Sequence, residues 1–557
     1  MKVLLRFAAL LVLFSGSLTA QEDLQDWYHK DASEGYMGVS IHKTYEKILK
    51  NKTTEPVVVA IIDSGVDIEH EDLKDVIWTN EDEIPNNGKD DDMNGYIDDV
   101  HGWNFIGGPN GKNVGPDTYE VTRLYGKYKE KFEDADPVKL NKEDRKMYDK
   151  WLTWKEEVES KRNSAKQNLM EVNGVEATIL SALEAINTAL EANDSPITLE
   201  NIEAIDSDEQ MVMIGKKVAS QFLEPGKKYE YEEIESMVKE AIDGDRKRFE
   251  DQLEYAYNPD FNPRATIVMD DYSDSSESIY GNNDVEGPDA LHGTHVAGIV
   301  AATRNNGIGM DGVANNVKIM SVRTVPDGDE RDKDVANAIR YAVDNGASVI
   351  NMSFGKGYAW DKQVVDDAVR YAEEHDVLLV HAAGNSAQDN DATDNFPNDK
   401  YKDPKGFLFW KKKEAKNWIE VGALSYKPGE DSPATFSNYG AKNVDVFAPG
   451  VQIYATTPDD NYRYLRGTSM ASPVVAGVAS VIRAHFPSLT ASQVKDIIMQ
   501  SATPLDFDVK KPGSDEVVPF NELSKTGGVV NLYNAVLLAA KTEGKKKIKK
   551  SRKSTSA

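Results

Sequence analysis

The chain has no cysteine in its 557 residues, so no disulfide braces it and no lipid-modified N-terminal cysteine anchors it. Long apolar runs are equally scarce. The one candidate, Phe7 to Phe14, follows a basic start and leads through small residues to Ala20. It is too short to span a bilayer comfortably, so residues 1–20 read as a cleaved secretory signal, with a membrane anchor as the alternative. Leu18 is larger than the residue such a cleavage site favours, which blurs the cut. Basic charge is also in deficit, with 65 Lys and Arg against 94 Asp and Glu and a net charge of −29. That balance disfavours nucleic acid and anionic membranes as partners, and favours solubility and affinity for cations. An exported chain without disulfides relies instead on a large core or bound ions.

The length allows more than one domain. Trp27-Tyr28 and the run Ile41 to Leu49 predict a docking segment and a short helix ahead of the first strand. Val57 to Ile62 is a continuous apolar, mostly β-branched run, the mark of a parallel strand buried on both faces, with Asp63 at its C-terminal end. From about 265 strands and helices alternate. Val317–Val322, Ala347–Met352 and Val377–Val380 read as strands, and Lys333–Asn345 and Gln363–His375 as helices between them. The pattern predicts an α/β fold with a doubly wound, mainly parallel sheet. Between these parts the chain turns charged and helical. Met147, Trp151, Trp154 and Val158 follow helical spacing, with Asn141 and Asp144 to cap the start. Leu183, Ile186 and Leu190 suggest a second helix, and Tyr231 to Tyr257 a third after the Pro225-Gly226 break. The expected division is a signal over 1–20, a first part of the main domain over 21–109 and a helical insertion over 110–262. The remainder of the main domain then spans 263–540, before a basic disordered tail over 541–557.

Three motifs carry chemistry: Val59-Ala-Ile-Ile-Asp63-Ser-Gly65, His292-Gly-Thr-His295-Val-Ala-Gly298 and Gly467-Thr-Ser469-Met-Ala-Ser-Pro473. They supply a carboxylate, an imidazole and a hydroxyl, each set among small residues. A serine hydroxyl is a poor nucleophile at neutral pH unless a base lies within hydrogen-bond reach and a third group fixes that base. Small-residue helices starting at Ser469 and His292 allow close packing, and a helix N-terminus puts backbone N–H groups beside the hydroxyl. A zinc pair of His292 and His295 is the rival reading, but no Glu stands between them as a metalloprotease helix requires.

At these motifs, and in their Asp–His–Ser order, the chain resembles the subtilisin-like serine proteases. The resemblance spans roughly 35–107 and 265–540. It implies a secreted endopeptidase acting through an acyl-enzyme, with Ser469 as nucleophile, His292 as base and then acid, and Asp63 orienting it. Asn385, in Val377-Leu-Leu-Val-His-Ala-Ala-Gly384-Asn385, matches the family's oxyanion-hole asparagine. Substrate would bind by strand addition between Arg323–Gly328 and the segment Ser353-Phe354-Gly355, with Gly355, Ala383 and Gly384 lining a pocket roomy enough for an apolar side chain. The reading implies polypeptide substrates, no catalytic cofactor, a monomer, no membrane span after signal cleavage, and a periplasmic or extracellular setting. A catalytically silent peptide-binding relative and a calcium-dependent adhesion protein are the alternatives.

Asp90-Asp-Asp92-Met-Asn94-Gly95-Tyr-Ile-Asp98-Asp99 resembles an EF-hand calcium loop, with oxygen side chains at alternate positions and Gly at the turn. His101 stands where the motif's bidentate Glu belongs, so an ion would complete its shell from Asp98, Asp99, backbone or water. An acidic solvated turn is the other reading. Too few residues lie between Ala20 and Val57 for the folded pro-domain of many secreted relatives. The insertion, falling between Asp63 and His292, is therefore expected to act as a lid or folding aid, or simply to stabilise.

Overall fold

The computed structural model describes residues 24–52, 54–406 and 411–546. The proposed signal and most of the basic tail lie outside them. The described chain forms two compact units, one over Val121–Phe261 and one over the flanking residues.

The larger unit is built on a nine-stranded sheet. Its first five strands in chain order are β1 (Val57–Asp63), β2 (Gly102–Asn104), β3 (Val317–Arg323), β4 (Ala347–Met352) and β5 (Leu378–Ala382). Across the sheet the order runs Thr503–Pro504, Gly528–Val529, Val446–Pro449, Trp418–Leu424, β5, β4, β1, β3, β2. Every pairing is parallel except that of Thr503–Pro504 with Gly528–Val529. The register sets Asp63 beside Arg323 and Ile62 beside Met352, so the C-terminal ends of the three central strands lie level.

Strand alternation explains the two layers. Val59 and Ile61 face one core, with Val349, Val380 and the helices Leu291–Ala301 and Thr468–His485. Ala60 and Ile62 face the other, with Val322, Ile350 and the helices Asp332–Asp344 and Lys362–Glu374. Both faces are covered, which is why β1 reads as one unbroken apolar run. The chain reverses direction across the sheet at β1, between β4 and β3, and in open α/β sheets ligands bind at such a switch point. The N-terminal segment is part of this unit. Trp27 is fully buried and its indole N–H donates to the Gln452 carbonyl at 2.9 Å, while Leu532 N–H donates to Val39 at 3.0 Å.

The unit Val121–Phe261 is helical. The two helices expected over 141–191 are one, Lys142–Glu191, because no proline interrupts the run and Gly174 is tolerated within it. Asn141 caps it as expected, accepting from Glu143 and Asp144 N–H at 3.0 and 2.9 Å. Buried residues recur every seven positions at Trp151, Val158, Ala165, Val172, Ile179 and Ile186, a seam that keeps one face of a long helix on its partners. From Val172 on, those partners are the helices Gln210–Phe222 and Tyr231–Asp251, which contribute Val218, Ile234, Val238 and Ile242 to one apolar cluster, while Trp151 packs on Phe132. Residues 113–120 belong to the sheet unit: Asp327 N–H donates to Gly115 at 2.9 Å and Asp117 N–H to Asp327 at 3.0 Å. Among the described residues no helix is long and apolar enough to cross a membrane.

Candidate active site

Asp63 and His292 meet at the C-terminal edge of the sheet unit, and the helix carrying Ser469 packs against the helix carrying His292. Asp63 ends β1 with its side chain 1% exposed, and its Oδ1 lies 2.6 Å from Nδ1 of His292. The same oxygen accepts the Ser64 N–H at 2.7 Å, which fixes the carboxylate. The glycine after His292 is required by close approach: a Cβ on Gly293 would fall 2.1 Å from the Gly65 carbonyl and 3.2 Å from Asp63 Cβ. Burial opposes charge on His292, but the Asp63 carboxylate, its hydrogen bond and then Asp289 outweigh it, so the imidazole pKa is raised. His295 differs. It is fully buried, Nε2 meets the Arg463 carbonyl at 3.0 Å, and burial pushes its pKa down to about 3. It packs as a neutral neighbour and does not share a ligand set with His292.

Ser469 sits in the first turn of the helix Thr468–His485. Four residues on, Pro473 has no N–H to donate, so the Ser469 carbonyl loses its helical partner. The Ser353 hydroxyl replaces it at 2.9 Å, within a cluster holding Asn351 and Ser472. The Ser469 hydroxyl in turn donates to the Ser353 carbonyl at 3.0 Å. The side chain of Ser353, expected to bind substrate, is thus turned inward to hold the Ser469 turn in place.

Asn385 follows β5 with its amide oriented by its oxygen: Oδ1 accepts from Thr468 N at 2.8 Å and from its hydroxyl at 3.0 Å. A Cβ on Gly467 would lie 3.5 Å from both Asn385 Nδ2 and the Ser469 backbone nitrogen, so the two nitrogens flank the Gly467 turn. Gly384, at φ +109°, lets the chain turn there, and its N–H is held by Thr468 Oγ1 at 3.1 Å.

A cleft of about 160 Å³ opens beside His292, lined in part by Leu291, Val325, Pro326 and Asp327. Arg323 forms its floor rather than an exposed edge, being 2% exposed and donating to the carbonyls of Ser64 and Val114 at 2.7 Å each. Gly355 is exposed, and Phe354 sits half-buried, edge-on to His381. One neighbour of Gly355 was not foreseen. Asn395 donates to the Ala382 and Ala383 carbonyls at 3.3 and 3.1 Å, and a Cβ on Gly355 would meet its Oδ1 at 2.7 Å. A polar amide therefore stands beside Gly355 and Ala383, where an apolar lining was expected. The side chain is distant in sequence from both walls, so only folding reveals it.

The acidic loop departs from the EF-hand expectation in its donor set. Asp98 turns to the Asn87 and Gly88 N–H groups at 3.0 and 2.8 Å. Asp99 accepts from Tyr341 at 2.6 Å, Asn80 at 3.0 Å and Asn94 at 3.1 Å, and burial pushes its pKa up to about 6. The Asn94 amide oxygen accepts from Tyr96 N–H at 2.7 Å. The carboxylates that converge are Asp90, Asp92 and Glu83, the last absent from the motif reading. His101 bonds the Trp78 carbonyl at 2.8 Å instead.

With this geometry in place, comparison with known proteins is decisive: the model of the subtilase family matches residues 54–520. The chain belongs to the subtilase family. It is 39% identical over 218 residues to Subtilisin DY of Bacillus licheniformis, which covers 38% of this chain and 71% of that subtilase. It is 37% identical over 251 residues to the Thermophilic serine proteinase of Bacillus sp. (strain AK1), 44% of this chain and 52% of that one. It is also 34% identical over 263 residues to the Cell wall-associated protease of Bacillus subtilis (strain 168), 46% of this chain and 26% of that one. The chain thus spans about half and about a quarter of the length of the last two. The α/β sheet with its parallel core is the subtilisin fold.

Proposed function

We propose that this subtilase is an exported serine endopeptidase that cleaves polypeptides through an acyl-enzyme on Ser469. The observation that carries the reading is the 2.6 Å contact of Asp63 with His292 Nδ1. It fixes the imidazole with Nε2 free to act as a base.

The steps of this reading use the chemistry of the three side chains. Ser469 Oγ exchanges its bond to Ser353 for one to His292 Nε2 and attacks the scissile carbonyl as its proton passes to that nitrogen. The imidazolium gains from Asp63, and the oxyanion from Asn385 Nδ2 and the Ser469 N–H. The amine leaves with the proton from Nε2. Water then repeats the sequence on the acyl-enzyme, restoring the serine. No cofactor takes part. The Arg323–Gly328 segment and Gly355 are proposed to flank the extended substrate, with Asp327 already paired on its far side to Gly115 and Asp117. Export rests on the signal-like residues 1–20.

The test is intact-mass detection of a fluorophosphonate adduct, on the parent protein and on Ser469→Ala. One adduct, absent in the variant, supports the reading. None at neutral pH would favour a silent peptide-binding subtilase.

A further inference from the structure

Just past Gly328 and just past Gly355 the chain enters one buried network of charges. Lys356 follows Gly355, and its side chain is only 1% exposed. Its Nζ donates to Glu120 Oε2 at 2.7 Å and to the Glu330 carbonyl at 2.6 Å, and lies 2.8 Å from Asp332 Oδ1. Three acceptors match the three N–H bonds of one ammonium. The Glu120 and Asp332 carboxylates are buried with it.

The backbone on each side is also held. Lys356 exchanges N–H···O bonds with Phe396 at 2.9 Å in both directions, and Phe396 follows Asn395, the neighbour of Gly355. On the other side residues 115–120 run along 327–331. Arg331 grips both carboxylate oxygens of Asp117 at 2.8 and 2.9 Å, and the Glu120 N–H donates to Asp329 Oδ2 at 2.7 Å. A Cβ on Gly328 would fall 2.5 Å from the Asp117 carbonyl, so the two stretches are in close contact. Lys356 ties this double layer to the Gly355 segment. A buried ion network adds little net stability, because desolvation offsets most of its Coulomb gain, but it accepts only a narrow geometry.

We propose that Lys356 is a positioning residue for peptide binding. Through Glu120, Asp332 and the Glu330 carbonyl it fixes the spacing between Arg323–Gly328 and Gly355, a role that rests on the reading of those segments as the flanks of the substrate. An extended peptide that pairs with both needs that spacing, since each backbone hydrogen bond tolerates little misplacement. A substrate that reaches only Ser469 does not. Glu120 is the last residue of the sheet unit before Val121–Phe261, so the spacing is set where the helical unit is attached.

The test uses the full chain carrying Glu120→Gln or Lys356→Met, at temperatures where circular dichroism shows it folded. Glu120→Gln leaves Lys356 paired with Asp332, and it carries the test if Lys356→Met does not fold. In the active chain, KM for an extended peptide should rise about tenfold while kcat changes by less than about twofold, and kcat/KM for a single-residue ester should stay at the parent's value. In a Ser469→Ala background, which needs no turnover, the Kd of a fluorescently labelled extended peptide should rise by a similar factor. Equal losses on peptide and ester would make Lys356 merely structural and overturn the assignment, as would an unchanged KM and Kd in folded variants. A parent that binds the peptide yet forms no fluorophosphonate adduct would sink the acyl-enzyme reading alone, and the Kd comparison would still decide the role of Lys356. Absence of peptide binding by the Ser469→Ala chain would overturn both.

Discussion

The sheet unit and the helical unit Val121–Phe261 bury their apolar side chains by different rules, and the difference decides where chemistry collects. In β1 every residue from Val59 to Ile62 is buried, because helices cover both faces. The strand ends then deliver side chains such as Asp63 to one edge at a fixed register. In Lys142–Glu191 one stripe is buried, at seven-residue spacing from Trp151 to Ile186 and widened by Val175, Ala182, Leu183 and Leu190. A seam fixes how a helix packs, but it brings no set of polar groups to a common point. The proposed reaction therefore depends on a few atoms in one unit, while the other unit should fail only through its packing.

The largest test of that contrast is Ser469→Ala, which should lower peptide hydrolysis about 10⁶-fold while leaving thermal unfolding unchanged. A loss of less than about tenfold would place the nucleophile elsewhere. Asn385→Ala should cost about 10²–10³ in kcat with little change in KM, since its donor acts on charge that develops only in the transition state. In the helical unit, Trp151 is buried against Phe132 and Tyr148 and donates to the Tyr125 carbonyl at 3.1 Å. Trp151→Ala should destabilise that unit by about 3–5 kcal/mol yet leave fluorophosphonate labelling intact. Labelling lost at temperatures where the sheet unit remains folded would show that the two are not separable.

Smaller effects sharpen the picture within the sheet unit. Asn395→Gly should raise the kcat/KM ratio for large apolar over small residues before the scissile bond by about tenfold. An unchanged ratio would mean the amide does not wall the pocket. Protonated His292 cannot accept the serine proton, so kcat/KM must rise as pH climbs through its pKa. Because that pKa is raised, the rising limb should lie above the ordinary ~6.5 of histidine. Asp289→Asn removes one of the charges holding it up and should move the limb slightly down. A limb that moves up would reverse the assigned cause.

Much of this was legible without coordinates. The runs at Val57–Ile62, Val317–Val322 and Ala347–Met352 are strands as read, and the cap at Asn141 is where local chemistry puts it. These signals are local, set by side-chain period and by hydrogen bonds within one turn. The two helices read from Met147–Val158 and Leu183–Leu190 are one, Lys142–Glu191. Two apolar patches on one helix look like two helices when nothing shows which partners they share.

The sequence alone determined the chemical parts, because Asp63, His292 and Ser469 each sit in motifs whose small neighbours are needed for close approach. Only the tertiary structure decided what surrounds them. Ser353 holds the Ser469 carbonyl that Pro473 leaves without a donor, Asn395 crosses the space beside Gly355, and Glu83 joins Asp90 and Asp92. The physical reason is the same in each case. A hydrogen bond, a contact or a shared charge between residues far apart in the chain leaves no periodicity to read, and it exists only once the fold has closed the distance.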